Sequence, residues 1–288
     1  MISLFASFVL FLQLLLLLRV DPLPRNDLSL ESTRFVKIYS EKVKGTILFH
    51  QIDLLSNTSY IFSPSQLQAL SNLYNATNGE NWRWQENAAV YGVKWNFDTT
   101  NPNPCSSRWQ GITCSYGTTC SKTKPCNIIS LSLPSYNLVG YLPESIRNLT
   151  YLQTLNLNSN QLQGTIPSSI GLISNLSSLN LSINHLDGPI PTSIGKLSRL
   201  SQLSLSQNRL TGSLPSFLFS DNLNLQTLEL GYNDFRSSIP VEVQQLTKLL
   251  VLNLSENFLT GTIPAELSRS LQRLALNGNL LNGSIPCS

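Results

Sequence analysis

The sequence has 288 residues, 41% of them hydrophobic, and a formal net charge of +3. Residues 1–126 contain 11 basic and 8 acidic side chains, whereas residues 127–288 contain 8 of each. The neutral second half has no basic stripe that could follow a nucleic-acid backbone, which excludes a nucleic-acid-binding protein. Behind the amino-terminal sequences, about 225 residues remain, enough for one elongated domain and too few for an added catalytic domain.

The chain opens with an uncharged apolar run, Met1–Leu18, followed by polar, proline-containing sequence. This pattern favours a secretory signal peptide over residues 1–20. The run lacks a basic start and an A-x-A cleavage site, so retention as a signal anchor stays open, and only then would the chain contact a membrane. Residues 21–62 form an unassigned leader, in which FVKIYSEKVKGTILFHQIDLL could supply strands or a poorly ordered segment.

Residues 63–126 are expected to form an amino-terminal cap. The stretch SPSQ, Ser63–Gln66, predicts a capping box with Pro64 in the first helical position. A helix is therefore expected over residues 64–76, ending near Asn78-Gly79. Four tryptophans follow, and we expect them to cover the open edge of the first repeat rather than to stack on sugars. They are Trp82, Trp84, Trp95 and Trp109.

Residues 127–288 repeat one pattern, L-x-x-L-x-L-x-x-N-x-L-x-G-x-I-P. The seven units are spaced 24, 24, 24, 25, 24 and 22 residues apart, and such a period indicates a solenoid. They begin at Ile128, Leu152, Leu176, Leu200, Leu225, Leu249 and Leu271.

Each part of the repeat has a physical task. Leucines alternate with polar residues in L-x-L, the period of a short strand with one buried face, so stacked strands should form a parallel sheet of roughly 30 Å. The asparagine can donate and accept hydrogen bonds where the chain turns inward. The glycine permits a positive φ, and the proline favours an extended segment. Tyr136 replaces the asparagine in the first repeat, and Ser237 replaces the glycine in the fifth.

The G-x-I-P element after N-x-L resembles the plant-type leucine-rich repeat, the class found in plant receptor-like proteins, receptor kinases and polygalacturonase-inhibiting proteins. This resemblance implies an α/β solenoid that forms a curved right-handed superhelix with a concave parallel β-sheet, and a further strand near G-x-I-P. CSSRWQGITC, Cys105–Cys114, is similar to the end of that family's amino-terminal cap, which implies a disulfide between the two cysteines. The family's usual carboxy-terminal cap is missing here.

Five cysteines occur in the chain, and Cys120 with Cys126 is the remaining local pair, although spacing alone leaves the connectivity open. A zinc site is the alternative, but the four cap cysteines lack a C-x2-C pair and a nearby histidine, so we expect disulfides and no metal. Cys287 is left over, and either the chain is a truncated product or Cys287 joins two copies in a dimer. Disulfides indicate an oxidising compartment, hence a secreted or cell-surface protein.

Seven N-x-S/T sequons agree with that compartment and predict a glycoprotein. They lie at Asn57, Asn75, Asn148, Asn175, Asn180, Asn253 and Asn282.

Catalysis is not expected. The chain has two histidines, and His185 falls at a turn position that should face solvent. The aligned repeats contain no paired carboxylates, no phosphate-binding loop and no metal cluster, so we predict neither an enzyme nor a cofactor.

The repeat frame instead predicts a binding surface on the concave sheet. Glycans on Asn180 and Asn253 would flank a window of outward side chains with Tyr232 as an aromatic anchor and Glu229 as a charged contact. The window contains Gln202, Ser204, Gln207, Glu229 and Tyr232. We expect a protein or peptide partner there, or a carbohydrate, in signalling, defence or adhesion. The alternatives are an inhibitor of secreted polysaccharide hydrolases and a structural wall or matrix protein.

Overall fold

The computed structural model describes residues 39–43, 46–50, 62–99, 102–120 and 123–285. The predicted signal sequence, Asn57 and Cys287 lie outside the described residues. Part of the leader forms an antiparallel hairpin of β1 (Tyr39–Val43) and β2 (Thr46–His50), so this segment does supply strands. Within the described residues, no helix combines the length and the hydropathy needed to cross a bilayer.

The cap begins with helix α1, Pro64–Ala76, which buries Leu67, Leu70 and Leu73. Its boundaries match the prediction, but the capping box does not form. The Ser63 side chain makes no capping hydrogen bond, and Gln66 reaches instead to the first repeat. The Gln66 side chain donates to Asn127 Oδ1 at 3.0 Å and accepts from the Ile128 N–H at 2.9 Å. Gln66 binds there because the first repeat strand has no preceding repeat that could bind its backbone N–H group.

An aromatic cluster fills the rest of the cap, as the tryptophan pattern predicted. Trp82, Trp95 and Trp109 are each no more than 5% exposed, and the Trp95 and Trp109 rings stack at 5.7 Å between centroids. A short 3-10 helix (Gly79–Asn81) and helix α2 (Ala88–Tyr91) lie in this region. The structure contains both expected disulfides, Cys105–Cys114 and Cys120–Cys126.

One strand of each repeat enters a single sheet of eight strands. The seven repeat strands are parallel, and a cap strand extends the sheet by pairing antiparallel with the first of them. In chain order the strands are β3 (Ile112–Cys114), β4 (Ile128–Ser132), β6 (Thr154–Asn156), β8 (Ser178–Asn180), β10 (Gln202–Ser204), β12 (Thr227–Glu229), β14 (Val251–Asn253) and β16 (Arg273–Ala275).

The further strand implied by the resemblance is also present. A second parallel sheet of six strands is built from the N-x-L-x-G segments. It contains β5 (Val139–Gly140), β7 (Gln161–Thr165), β9 (His185–Gly188), β11 (Arg209–Ser213), β13 (Asp234–Ser237) and β15 (Phe258–Leu259). After the prolines, the chain forms 3-10 helices at Glu144–Asn148, Ser168–Leu172, Thr192–Lys196 and Val241–Gln245, and helix α3 at Phe217–Ser220.

The second sheet is hydrogen-bonded to the cap around Gly140. The N–H groups of Val139 and Tyr141 donate to the carbonyls of Thr77 and Ala76 at the end of α1. Gly140 has φ +138°, and a Cβ there would lie 2.0 Å from the Ala76 carbonyl oxygen. Only glycine permits this close approach, so the first repeat and the cap helix share hydrogen bonds that close the helix end.

The repeat asparagines bind the coils to one another as predicted. Asn184 is 5% exposed, and its Nδ2 donates to the Leu157 carbonyl of the preceding repeat at 3.0 Å and to Leu181 and Ser182 of its own repeat. Its Oδ1 accepts the Leu162 N–H at 2.9 Å. Asn160, Asn208, Asn233, Asn257 and Asn279 make the same contacts.

Candidate recognition surface

Two rows of outward side chains cross the larger sheet, because the register pairs equivalent positions of successive repeats. The first row is Ser130, Thr154, Ser178, Gln202, Thr227, Val251 and Arg273, and the second is Ser132, Asn156, Asn180, Ser204, Glu229, Asn253 and Ala275. The buried leucines lie between them on the opposite face. Most of the outward side chains are small and polar, so the larger and charged ones define the chemistry of the surface.

The structure brings the predicted strand residues of the window together. Gln202 and Ser204 lie on β10, directly opposite Thr227 and Glu229 of β12. The Ser204 hydroxyl donates to Glu229 Oε2 at 2.9 Å, which fixes the carboxylate while its other oxygen can accept from a ligand. Gln202 Oε1 accepts from the Ser178 hydroxyl at 3.1 Å.

Gln207 and Tyr232 belong to a third row, formed where each repeat turns out of the sheet. Residues in this row have left-handed backbone, with φ between +52° and +58°. The row runs through Ser159, Ile183, Gln207, Tyr232 and Glu256. Tyr232 is 53% exposed, and its backbone carbonyl accepts the N–H of Asn208, the residue next to Gln207.

Ile183 is a member of this surface that sequence reasoning left out of the window. It lies on the other side of Gln207 from Tyr232 and is 44% exposed. A β-branched residue rarely adopts left-handed backbone, since its branched side chain crowds the carbonyl. The sequence does contain a signal for Ile183. It is the only β-branched residue in this row at the position before the repeat asparagine, where the other repeats of the row carry serine, glutamine, tyrosine or glutamate.

The sequon asparagines Asn180 and Asn253 border the window as predicted from the frame. They flank Ser204 and Glu229 in the second row, three strands apart, or about 14 Å. Each Oδ1 accepts both the N–H and the hydroxyl of the serine two residues later, Ser182 and Ser255. The other described sequons lie elsewhere: Asn75 in α1, Asn148 in a 3-10 helix, Asn175 before β8, and Asn282 in the last repeat.

The remaining candidate groups lie apart from the window. His185 is exposed as expected, but it begins strand β9 of the second sheet instead of occupying a turn. The sulfur atoms of Cys105, Cys120 and Cys126 lie within 4.8 Å of one another. Each is held in a disulfide, so this cluster offers no free thiolate to a metal.

Comparisons with known proteins agree with this architecture. The Leucine Rich Repeat family matches residues 151–173, 175–197, 199–220, 224–246 and 248–269. The Arabidopsis receptor kinase HAESA, solved with the peptide hormone IDA and the co-receptor SERK1, is 37% identical over 54% of this chain and 26% of its own, with a TM-score of 0.53.

The structure titled PEPR1-AtPEP1 is 33% identical over 77% of this chain and 28% of its own, with a TM-score of 0.61. A plant ice-binding protein is 25% identical over 78% of this chain and 82% of its own, with a TM-score of 0.52. This chain spans between 26% and 30% of the length of the first five receptor structures that it matches.

The chain is a leucine-rich repeat solenoid. This class is defined by the repeats, by the two parallel sheets that they build and by the ladder of buried asparagines. The N-x-L-x-G-x-I-P units, the second sheet and the disulfide-bonded cap are those expected of the plant type, and the matches to plant receptor structures support a plant-type leucine-rich repeat protein.

Proposed function

We propose that this chain is a non-catalytic recognition module that binds a peptide or protein on its concave sheet. The observation that carries the proposal is the arrangement of the window: the Glu229 carboxylate is held by Ser204, and the exposed ring of Tyr232 follows three residues later in the same repeat. Aromatic side chains supply large contact area at low entropic cost, and a buried ionic contact selects for charge. Several of the matched receptors were solved with peptide hormones, which supports a ligand of the same class.

Ile183 extends the proposed contact surface. Ile183 and Tyr232 are two repeats apart in one row, a separation of about 10 Å, with Gln207 between them. An extended peptide that crosses the repeats could place apolar side chains on both and a backbone amide on Gln207. The partner should carry a basic residue opposite Glu229.

Peptide selection tests this function directly. A displayed library of random 12-residue peptides would be panned on the secreted wild-type protein, and the enriched peptides would be measured against Tyr232→Ala. We expect binding to weaken at least tenfold, about 1.4 kcal/mol or more, since the anchor is lost. Tyr151→Ala is the matched control, because Tyr151 is 51% exposed and lies outside the window. Enriched peptides that bind both variants as tightly as the wild type would refute the assigned window.

We further propose that the protein acts at the cell surface or after secretion. Both disulfides support an oxidising compartment. Expression in a eukaryotic host, with intact mass measured before and after deglycosylation and thiol labelling, tests this. A glycosylated product in the medium with the four cap cysteines protected from labelling is the expected result. Unglycosylated protein in the cytosol with free cap thiols would contradict it.

A further inference from the structure

A cavity of about 690 Å³ lies between the cap and the first repeat, away from the window. This volume falls within the range of sites that hold small ligands, about 300–1,000 Å³. Its walls come from α2, from the disulfide loop Cys105–Cys114, and from the turn after β4 that contains Tyr136. Sequence reasoning did not identify this cavity, because its walls are separated by some 50 residues along the chain.

The wall formed by the segment around α2 is held rigidly by Gln110, which is 1% exposed. The Gln110 Nε2 donates to the carbonyls of Gln85 and Gly92 at 2.7 and 3.1 Å, and its Oε1 accepts from the Gln85 N–H and the Tyr136 hydroxyl at 3.0 and 3.1 Å. Val93 forms a bridge with Trp109 in addition. A side chain with all of its hydrogen bonds satisfied fixes both sides of the cavity in one arrangement.

Helix α2 gains little from packing within the protein. None of its four residues is buried, and Val90 and Tyr91 are 65% and 53% exposed at the cavity. This segment is held in place by hydrogen bonds, and it presents an aromatic ring and an aliphatic side chain to an open cavity. It therefore offers contact area to a ligand.

The charge of the cavity selects for an anion. Arg108 is the one cation among the described residues that line it, and no carboxylate is among them. Its Nη2 donates to the Ala89 carbonyl at 3.1 Å, which orients the guanidinium and leaves donors for a second partner. A guanidinium pairs most strongly with a carboxylate, through two parallel hydrogen bonds.

The neutral lining selects for a hydroxylated ligand. The lining includes the aromatic residues Tyr91 and Tyr136 and the hydroxyl-bearing residues Thr113, Thr118 and Ser132. Burial, and secondly the nearby Tyr91, raise the pKa of Tyr136, so its hydroxyl stays protonated and donates to Gln110. Aromatic faces pack against the C–H face of a sugar ring, and the surrounding hydroxyls can pair with sugar hydroxyls. A purely apolar ligand would leave these polar groups without partners.

We propose that this cavity binds an acidic oligosaccharide, with a uronic acid carboxylate on Arg108 and a sugar ring against Tyr91. This site is separate from the proposed peptide window, and either can exist without the other.

Titration calorimetry with trigalacturonate tests the proposal on the secreted protein. We expect saturable binding that weakens at least about tenfold in Arg108→Asn, the loss of one charge-assisted pair. Asparagine is chosen because Arg108 has φ +52°, which asparagine tolerates. Arg147→Asn, at an exposed arginine outside the cavity, and Tyr232→Ala should bind as the wild type does. The fully methyl-esterified trisaccharide should bind at least about tenfold more weakly to the wild type.

The design separates loss of the site from loss of the fold, because thermal unfolding of each variant is measured alongside. No saturable binding to the wild type would overturn the proposal. Equal affinity of Arg108→Asn and the wild type, or of the ester and the acid, would overturn it as well. If Tyr91→Ala also weakens binding while the melting temperature is unchanged, the ring contact is supported.

Discussion

The repeat asparagines carry a large share of the stability of each coil, because one side chain satisfies several backbone groups. Asn184 makes three donor contacts and one acceptor contact. Truncation would leave the carbonyls of two repeats and the Leu162 N–H buried without this partner.

Asn184→Ala is therefore expected to lower the free energy of unfolding by about 3 kcal/mol. Asn224→Ala is the control, since Asn224 is exposed and its two side-chain hydrogen bonds, to the Ser198 carbonyl and from Lys248 Nζ, are open to water, so its loss should cost below about 1 kcal/mol. Urea denaturation of both variants measures the difference. Equal costs would show that the ladder contributes no more than an exposed hydrogen bond.

Ser237 shows the cost of departing from the repeat glycine. The chain keeps the left-handed backbone there, with φ +77°, although serine has replaced glycine. We expect Ser237→Gly to stabilise the protein by about 1 kcal/mol, because glycine adopts this conformation without a Cβ clash.

Gly212→Ser is the reciprocal control for Ser237→Gly. Gly212 has φ +92°, and a Cβ there would meet its nearest atom at 3.8 Å, so the substitution probes the backbone alone. It should destabilise the protein by about the same amount. A stabilising effect of Gly212→Ser in chemical denaturation would contradict this account.

At the scale of elements, Gln110 joins the cap to the first repeat. Four hydrogen bonds from one buried side chain connect the segment before α2, the segment after it and Tyr136. The α2 segment buries no residue of its helix, so its order depends on this side chain more than on hydrophobic contact.

Gln110→Ala should release this segment while the repeats stay folded. We expect amide hydrogen exchange across residues 85–93 to accelerate about a hundredfold, with no change in β6–β12. Gln163→Ala serves as the control, because Gln163 is exposed on β7. Faster exchange throughout the sheet would mean that the cap and the repeats unfold as one unit.

At the scale of the whole solenoid, burial is uneven along the stack. The central strand leucine is 0–1% exposed in β4 to β14, whereas its equivalent in β16, Leu274, is 41% exposed. Leu280 and Ile285 are 62% and 80% exposed in the same repeat. Each repeat is stabilised by packing against its neighbours, so the weaker burial of these side chains lowers the local stability of this repeat.

Hydrogen exchange should therefore be graded along the molecule. We expect the amides of β8 and β10 to be protected at least about tenfold more than those of β16, since the central leucine of β16 is 41% exposed whereas those of β8 and β10 are buried. Native-state exchange followed by mass spectrometry measures the gradient. Uniform protection would indicate that the repeats open cooperatively.

Because the sequence is repetitive, much of the fold could be predicted from it. The alternation of Leu155 and Leu157 with polar neighbours determined the strand and its buried face, and the ninth-position asparagine determined where backbone groups would need partners. These are local requirements, repeated every 22–25 residues, so each repeat confirms the others. The positions of the window residues on the outward face of the sheet followed from the same repeat pattern.

Tertiary structure decided the contacts that cross from one kind of segment to another. A local pattern predicted that Gln66 would cap its own helix, but Gln66 Oε1 accepts the N–H of Ile128 in the first repeat instead. The repeat frame makes Ile183 and Tyr232 equivalent, but stacking of the repeats decided that both lie in one exposed row on either side of Gln207. The cap cavity likewise depends on Gln110, which joins segments that are distant in sequence. The sequence of each segment alone does not determine which partners its polar groups will bind.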